Sequence, residues 1–266
     1  MKCSLLRLLP GLLLVVSSAC SPLYVLRAGY EQARILSRRQ PITRMVEDPR
    51  TDEQTREKLR LVLEARDYAA RDLGLDAGNS YTTYSWVDSD TLALVLSAAR
   101  KDEFRAHTWW FPIVGRVPYK GFFDFSAARQ ARDDFIARGF DAYVRPASAF
   151  STLGWFNDPL LSTTLRQDSL DLANTVIHEL THNTFYAPGQ AVFNESFANF
   201  VGARGAAWIF RVQGDSAAAL MVDARWADEK WMGRFWRDLY EELESAFAAH
   251  PDDRDARLAA RERIYA

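Results

Sequence analysis

The segment His178-Glu179-Leu180-Thr181-His182 constrains this chain more than any other. Four helical residues advance about 400°, so the two imidazoles lie on one helix face, one turn apart; in a strand they would stand about 13 Å from each other. The flanking pattern predicts the helix. Asp168 or Ser169 can cap its start, Leu172, Ala173, Val176, Ile177 and Leu180 form an apolar stripe, and Pro188-Gly189 marks the stop. Two nitrogens held this way can grip one metal ion. The chain has only 4 His in 266 residues and spends two of them on this pair, which favours a shared task over scattered surface placement.

A catalytic zinc takes three protein ligands and keeps a fourth position for water, so a third donor must come from elsewhere. Glu195 is the candidate, within Asn194-Glu195-Ser196-Phe197-Ala198-Asn199. Pro188-Gly189 lies between it and His182 and can turn a second helix, starting near Phe193, back onto the first. Two neutral imidazoles and a carboxylate suit one Zn2+ ion, and Glu179 is then placed as general base rather than ligand. Asn199, one turn after Glu195, can accept the free ring N–H of a ligand histidine. Tyr186, one turn after His182, and Tyr119 are candidate oxyanion donors, with packing as the competing role of each. His107 is a further candidate, weighed against a plain core position.

Composition narrows the classes. With 48% hydrophobic and 26% charged residues the chain can build one sizeable core. Lys plus Arg, 33, nearly balance Asp plus Glu, 35, which leaves no field to attract nucleic acid. Lys2 and Arg7 precede an apolar run, Leu8 to Val16, that ends in Ser17-Ser18-Ala19-Cys20. That is the pattern of a secretory signal over 1–19, and its apolar core is shorter than the roughly 20 residues of a spanning helix. Cys20 would be the one cysteine left after processing, so no internal disulfide is expected.

Residues 20–50 read as a tether with a short helix around Gly29 to Arg38, and 51–266 as one domain without repeats or linker. A helix is expected from a Thr51/Gln54 capping box to Gly74, with Leu59, Val62, Leu63, Ala70 and Leu73 on one face. Strands are expected over Thr91 to Ala98 and His107 to Val117, with a hairpin near Tyr119-Lys120-Gly121. A helix from Asp124 or Ser126 to Gly139 follows, then a strand at Ala142-Tyr143-Val144, extended chain from Ala147 to Trp155, and helices beyond Gly205 carrying Trp226, Met232, Trp236 and Leu239. The fold class is α+β, a small mixed sheet beside a mostly helical carboxy-terminal half.

At these residues the chain resembles the gluzincin class of zinc peptidases, thermolysin-like in its H-E-x-x-H and N-E helices, with a shorter interval between them. It more closely resembles a family of bacterial lipoproteins described as putative aminopeptidases. That resemblance rests on Val176 to His182, Phe193 to Ala198, Ser151-Thr152-Leu153-Gly154-Trp155-Phe156 and Asp158-Pro159-Leu160-Leu161-Ser162, and it runs from about Cys20 into the last helices. It implies a zincin-like fold, zinc-dependent hydrolysis of a peptide or protein substrate, and a lipid on the Cys20 thiol. The anchor would hold the protein at the bacterial cell envelope, and Ser21 points to the periplasmic face of the outer membrane. Two features depart from the family pattern. Trp110 and Arg116 stand where it carries cysteines, and its members continue past Ala266, which predicts a shortened carboxy terminus. No G-x-M-E-N-like segment anchors a free amino terminus, which leaves exo- and endopeptidase both open. The competing readings are a non-catalytic envelope scaffold of the same fold and a metal hydrolase acting on something other than a peptide. An intact Glu179 argues against the scaffold. The sequence is silent on oligomeric state.

Overall fold

A computed structural model describes residues 30, 33–88, 91, 93–111, 115–147 and 157–266. The expected signal, Cys20 and the extended segment near Ser151 to Trp155 lie outside the described residues. A helical stretch covers 33–37, after which β1 (Gln40–Pro41) and α1 (Ile42–Glu47) lead into α2 (Glu53–Arg71). Ile42 is fully buried in the main core, so the packed body reaches back into the stretch read as tether. The capping box is corrected: Asp52, not Thr51, starts α2, its carboxylate accepting the Thr55 amide at 2.8 Å. The buried face of α2 is Leu59, Leu61, Val62, Ala65 and Ala69, while Leu73 is exposed beyond the helix end.

The strands form three small sheets rather than one. β2 (Thr83–Ser85) pairs antiparallel with β1 and parallel with β8 (Leu160–Leu161), which precedes the short α4 (Ser162–Leu165). β3 (Ala93–Arg100) lies between β6 (Lys120–Phe122) and β7 (Phe140–Ala147), antiparallel to both. β4 (Trp109–Phe111) and β5 (Gly115–Val117) make a separate antiparallel pair where a single strand over His107 to Val117 was expected. The hairpin expected at Tyr119-Lys120-Gly121 does not form, because β6 pairs with β3 and β5 with β4. Long-range pairing overrides the local turn signal, since strand stability resides in partners rather than in propensity. α3 (Phe125–Ala137), capped by Asp124, covers one face of the β6-β3-β7 sheet through Phe135 against Leu96 and Ala98.

The carboxy-terminal half is helical: α5 (Ser169–Thr184), α6 (Ala191–Val212), α7 (Ser216–Ala248) and α8 (Arg254–Tyr265). Burial of Leu172, Val176, Ile177 and Leu180 of α5 against α2 and α6 makes the main core. α7 packs on α6 through Ala219 and Val222, with Arg204 of α6 pairing Asp223 at 2.7 Å. Met232 and Trp236, apolar positions of the expected helix, are exposed rather than packed. α8 is clamped to the sheet side by the buried Asp102, which accepts Arg257 at 2.9 Å, and by Arg261 on Asp141 at 2.7 Å. Among the described residues no helix is long and apolar enough to cross a membrane.

Asp168 tests how α5 is held. It caps the helix by accepting the Asp171 amide at 2.9 Å and pairs with Arg225 of α7, also at 2.9 Å. Asp168→Ala is expected to cost about 1–2 kcal/mol in urea unfolding, the usual loss of an aspartate cap. The Arg225 guanidinium, against the opposing effect of burial, holds the Asp168 carboxyl below its usual range. Its contribution is therefore full above a carboxylate's unfolded value of about 4 and is lost as pH falls through the lower folded value. The stability gap between the two proteins should narrow in acid; a gap that widens there would refute the assignment.

Candidate metal centre

α5 delivers both histidines from one face, and α6 runs back across it to deliver the carboxylate. Three features set that crossing. Gly189, at φ +78°, turns the chain between the helices. Asn194, itself buried, bonds the loop twice, its Oδ1 accepting the Ala187 amide at 2.9 Å and its Nδ2 donating to the Ala187 carbonyl at 2.8 Å. Gly202 lets the helices touch: a Cβ there would lie 2.2 Å from Asn174 Oδ1, 2.9 Å from the Asn174 carbonyl oxygen and 3.2 Å from His178 Cβ.

The outcome is a convergence of three donors. His178 Nε2 and His182 Nε2 stand 3.1 Å apart, with Glu195 oxygens 3.6 Å from the first and 3.8 Å from the second. Tetrahedral coordination at about 2.0–2.1 Å sets donor atoms about 3.3 Å apart, so these spacings fit a single ion. His182 is 7% exposed and Glu195 48%, which leaves the carboxylate side of the triad open to solvent. Glu195 is held well below the usual carboxylate range, first by its hydrogen bonds to His178 and His182. At His178 burial opposes charge, but hydrogen bonding to Glu195 and the neighbouring carboxylates outweigh it, and its pKa is raised.

Glu179 lies outside the triad. It is half-buried on the same helix, and desolvation raises its carboxyl, assisted by the negative charge of Glu195 and Asp158 against the opposing imidazoles. Asn199 faces the His178 ring as a hydrogen-bonding neighbour. Tyr119 and Tyr186 both lie within the field of Glu195. Desolvation first, then Glu195, pushes Tyr119 up to about 12, and the same two causes raise Tyr186, whose ring centre is 6.4 Å from that of His182. Both phenols therefore keep their protons at neutral pH. His107 does not join them: it packs edge-on against Trp109 and Phe135 on the far side of the sheet.

Residues 23–266 match the family described as putative aminopeptidase. The chain belongs to that family. No curated protein and no solved structure gives a significant match. In this family member, sequence reasoning missed the groups that surround Glu179. Tyr81, buried and at φ +60°, donates its amide to the Asp158 carbonyl at 2.8 Å, and its phenol feels the charge of Glu179 and Asp158. Asp158 belongs to one of the segments that carry the family resemblance, which is the signal that could have found it. Gly202 announced itself only through the small-residue row Ala198, Gly202, Gly205, Ala206 along α6.

Metal removal tests the triad. His178→Ala or His182→Ala should abolish stoichiometric zinc uptake by the purified chain, and Glu195→Ala should weaken it by orders of magnitude, as measured by metal analysis and competitive titration. Because a proton and a metal ion compete for His178 Nε2, zinc affinity should fall as pH is lowered through the neutral range. Full zinc content in Glu195→Ala would remove it from the ligand set.

Proposed function

We propose that this protein is a zinc-dependent peptidase in which Glu179 is the general base. One observation carries the reading: three donor atoms converge at zinc-ligand spacing while a second carboxylate, Glu179, stands beside them, on the helix of the two histidines, without joining the set. The crossing of an H-E-x-x-H helix by a glutamate-bearing helix supports a zincin-like arrangement, and membership of a family described by aminopeptidase activity supports a peptide substrate.

His178, His182 and Glu195 would hold the ion. Zinc in such a site supplies Lewis acidity, which brings the ionisation of water to about pH 7. The Glu179 carboxylate accepts the proton of the attacking water as the new C–O bond forms, then passes it to the amine nitrogen as the peptide C–N bond breaks. Its raised pKa suits both steps. Tyr119, protonated and bordering Glu195, donates a hydrogen bond from its phenol to the carbonyl oxygen as negative charge gathers there; Tyr186 is the second donor in reach. Asn199 orients the His178 ring. The scaffold reading keeps the fold and the metal but gives Glu179 no task.

Glu179→Gln separates binding from turnover. It should retain zinc near the unaltered level while lowering kcat on peptides with a free amino terminus by roughly 10²–10⁴-fold. Loss of zinc would make Glu179 structural, undiminished cleavage would place the base elsewhere, and a zinc-loaded chain that cleaves nothing in a broad peptide library would favour the scaffold. In the same assay Tyr119→Phe should lower kcat by about 10²-fold with little change in KM, and Tyr186→Phe by less. The reverse order would exchange the two roles.

A further inference from the structure

The register of the β6-β3-β7 sheet separates its faces. Leu96, Ala98, Phe122, Ala142 and Val144 pack towards α3. Directly paired residues share a face and neighbours along a strand alternate, so Val95, Ser97, Gly121, Tyr143 and Arg145 point away from α3. Tyr119, one residue before β6, falls opposite Ser97 by the same register and belongs to that second face. Gly115, just ahead of this stretch in β5, comes close to Gly189 of the α5–α6 loop, and the Tyr119 phenol lies within the field of Glu195 and Glu179, so the face that turns from α3 is on the side of the donor triad.

This face is open. α3 is the helix packed broadly on the sheet, and Tyr143 on the opposite side is 66% exposed. Of the two charges here, Asp141 is paired with Arg261, whereas Arg145 is exposed and, among the described residues, makes no hydrogen bond or ion pair. Tyr119 and Arg145 are electrostatic neighbours across β3. Two strands apart and two residues along, their backbones are separated by about 12 Å, which an extended peptide spans in three or four residues.

We propose that Arg145 determines substrate specificity: its guanidinium binds a carboxylate of the peptide, supplied by an acidic side chain or by the carboxy terminus, two to four residues from the cleaved bond. The proposal rests on the peptidase reading. A planar guanidinium matches a carboxylate with two parallel hydrogen bonds, and a cation on a face whose other charge, Asp141, is already taken by Arg261 is complementary to such a group. The neighbouring Tyr143 ring provides an apolar platform for the chain between.

The test uses the full-length zinc-loaded chain and a matched peptide set carrying Glu, Gln or Lys at successive positions, each as free acid and carboxy-terminal amide. At one position the unaltered protein should prefer Glu over Gln by about tenfold in kcat/KM, or else the free acid over the amide; the two arms tell the sources apart. Arg145→Gln should bring that ratio to about one, Arg145→Lys should keep part of it, and Arg145→Glu should invert it in favour of Lys. An unchanged ratio in Arg145→Gln overturns the proposal. Equilibrium binding of the same labelled peptides to Glu179→Gln, with and without Arg145→Gln, gives a readout free of turnover. A charge preference in binding that depends on Arg145, without cleavage of any peptide, upholds the carboxylate site and rejects the peptidase; cleavage without that dependence does the opposite.

Discussion

The close crossing of α5 and α6 is the constraint on which the centre depends. One helix can supply two imidazoles by spacing alone, but the third donor must arrive from another element to within a few tenths of an ångström. Here the second helix approaches until Gly202 lies against Asn174 and the His178 stem, where any side chain would collide with backbone. Gly205 repeats the contact one turn on, against Ile177. Glycine in a helix interior costs about 1 kcal/mol relative to alanine, and α6 also begins without a side-chain cap, at Gln190. Local preference thus works against α6 at its start and at its middle. Core burial of Ala198, Ala206, Ala207 and Phe210, together with the Asn194 bonds to Ala187, offsets it.

The crossing also sets the electrostatics. Glu179 and Glu195 are carboxylates of one site, yet their surroundings push them apart: two imidazoles hold Glu195 ionised, while burial beside Asp158 and Tyr81 raises Glu179. Such a divergence separates a ligand, which must stay ionised, from a base that must take and release a proton. The burial difference points the same way. The histidines are sheltered and kept from easy hydration, whereas Glu195 faces the open side from which a substrate would approach.

Much of this was legible because it is local. Asp124 and Asp168 start helices where a side-chain oxygen can accept an unpaired amide, and the 3.6-residue period of Leu172 to Leu180 marks the buried face of α5. The convergence of His178, His182 and Glu195 was readable for the same reason, two of them by helix spacing and the third by an intervening turn. The sheets were less so. Nothing near Tyr119-Lys120-Gly121 tells the chain that β6 will leave β5 and join β3, more than twenty residues earlier, since the pairing is decided by partners distant in sequence. The place of Arg145 was invisible for that reason too: it comes from register with β3, which sets it on the same face as Tyr119 two strands away, not from any motif around it.

That split has a physical meaning for the cleft. The helical side, α5 and α6, carries the three converging donors and Glu179. The sheet side carries Tyr119, Tyr143 and Arg145 and meets the helices at few points, one being backbone contact of Gly115 with Gly189 in the α5–α6 loop. Gly115 is at φ +74°, a backbone conformation that side chains rarely adopt, so glycine is favoured there by its conformation. The sheet is held from its other end by Asp102 and Asp141, each gripped by an arginine of α8. A buried carboxylate such as Asp102 is costly unless paired, and its Arg257 partner also donates to the His250 and Pro251 carbonyls that end α7. The last helices thereby fix where the sheet stands. The open sheet face and the three donor groups sit on separate frameworks, joined at the Gly189 loop and at α8, so residues on that face can change without disturbing the geometry of the donors.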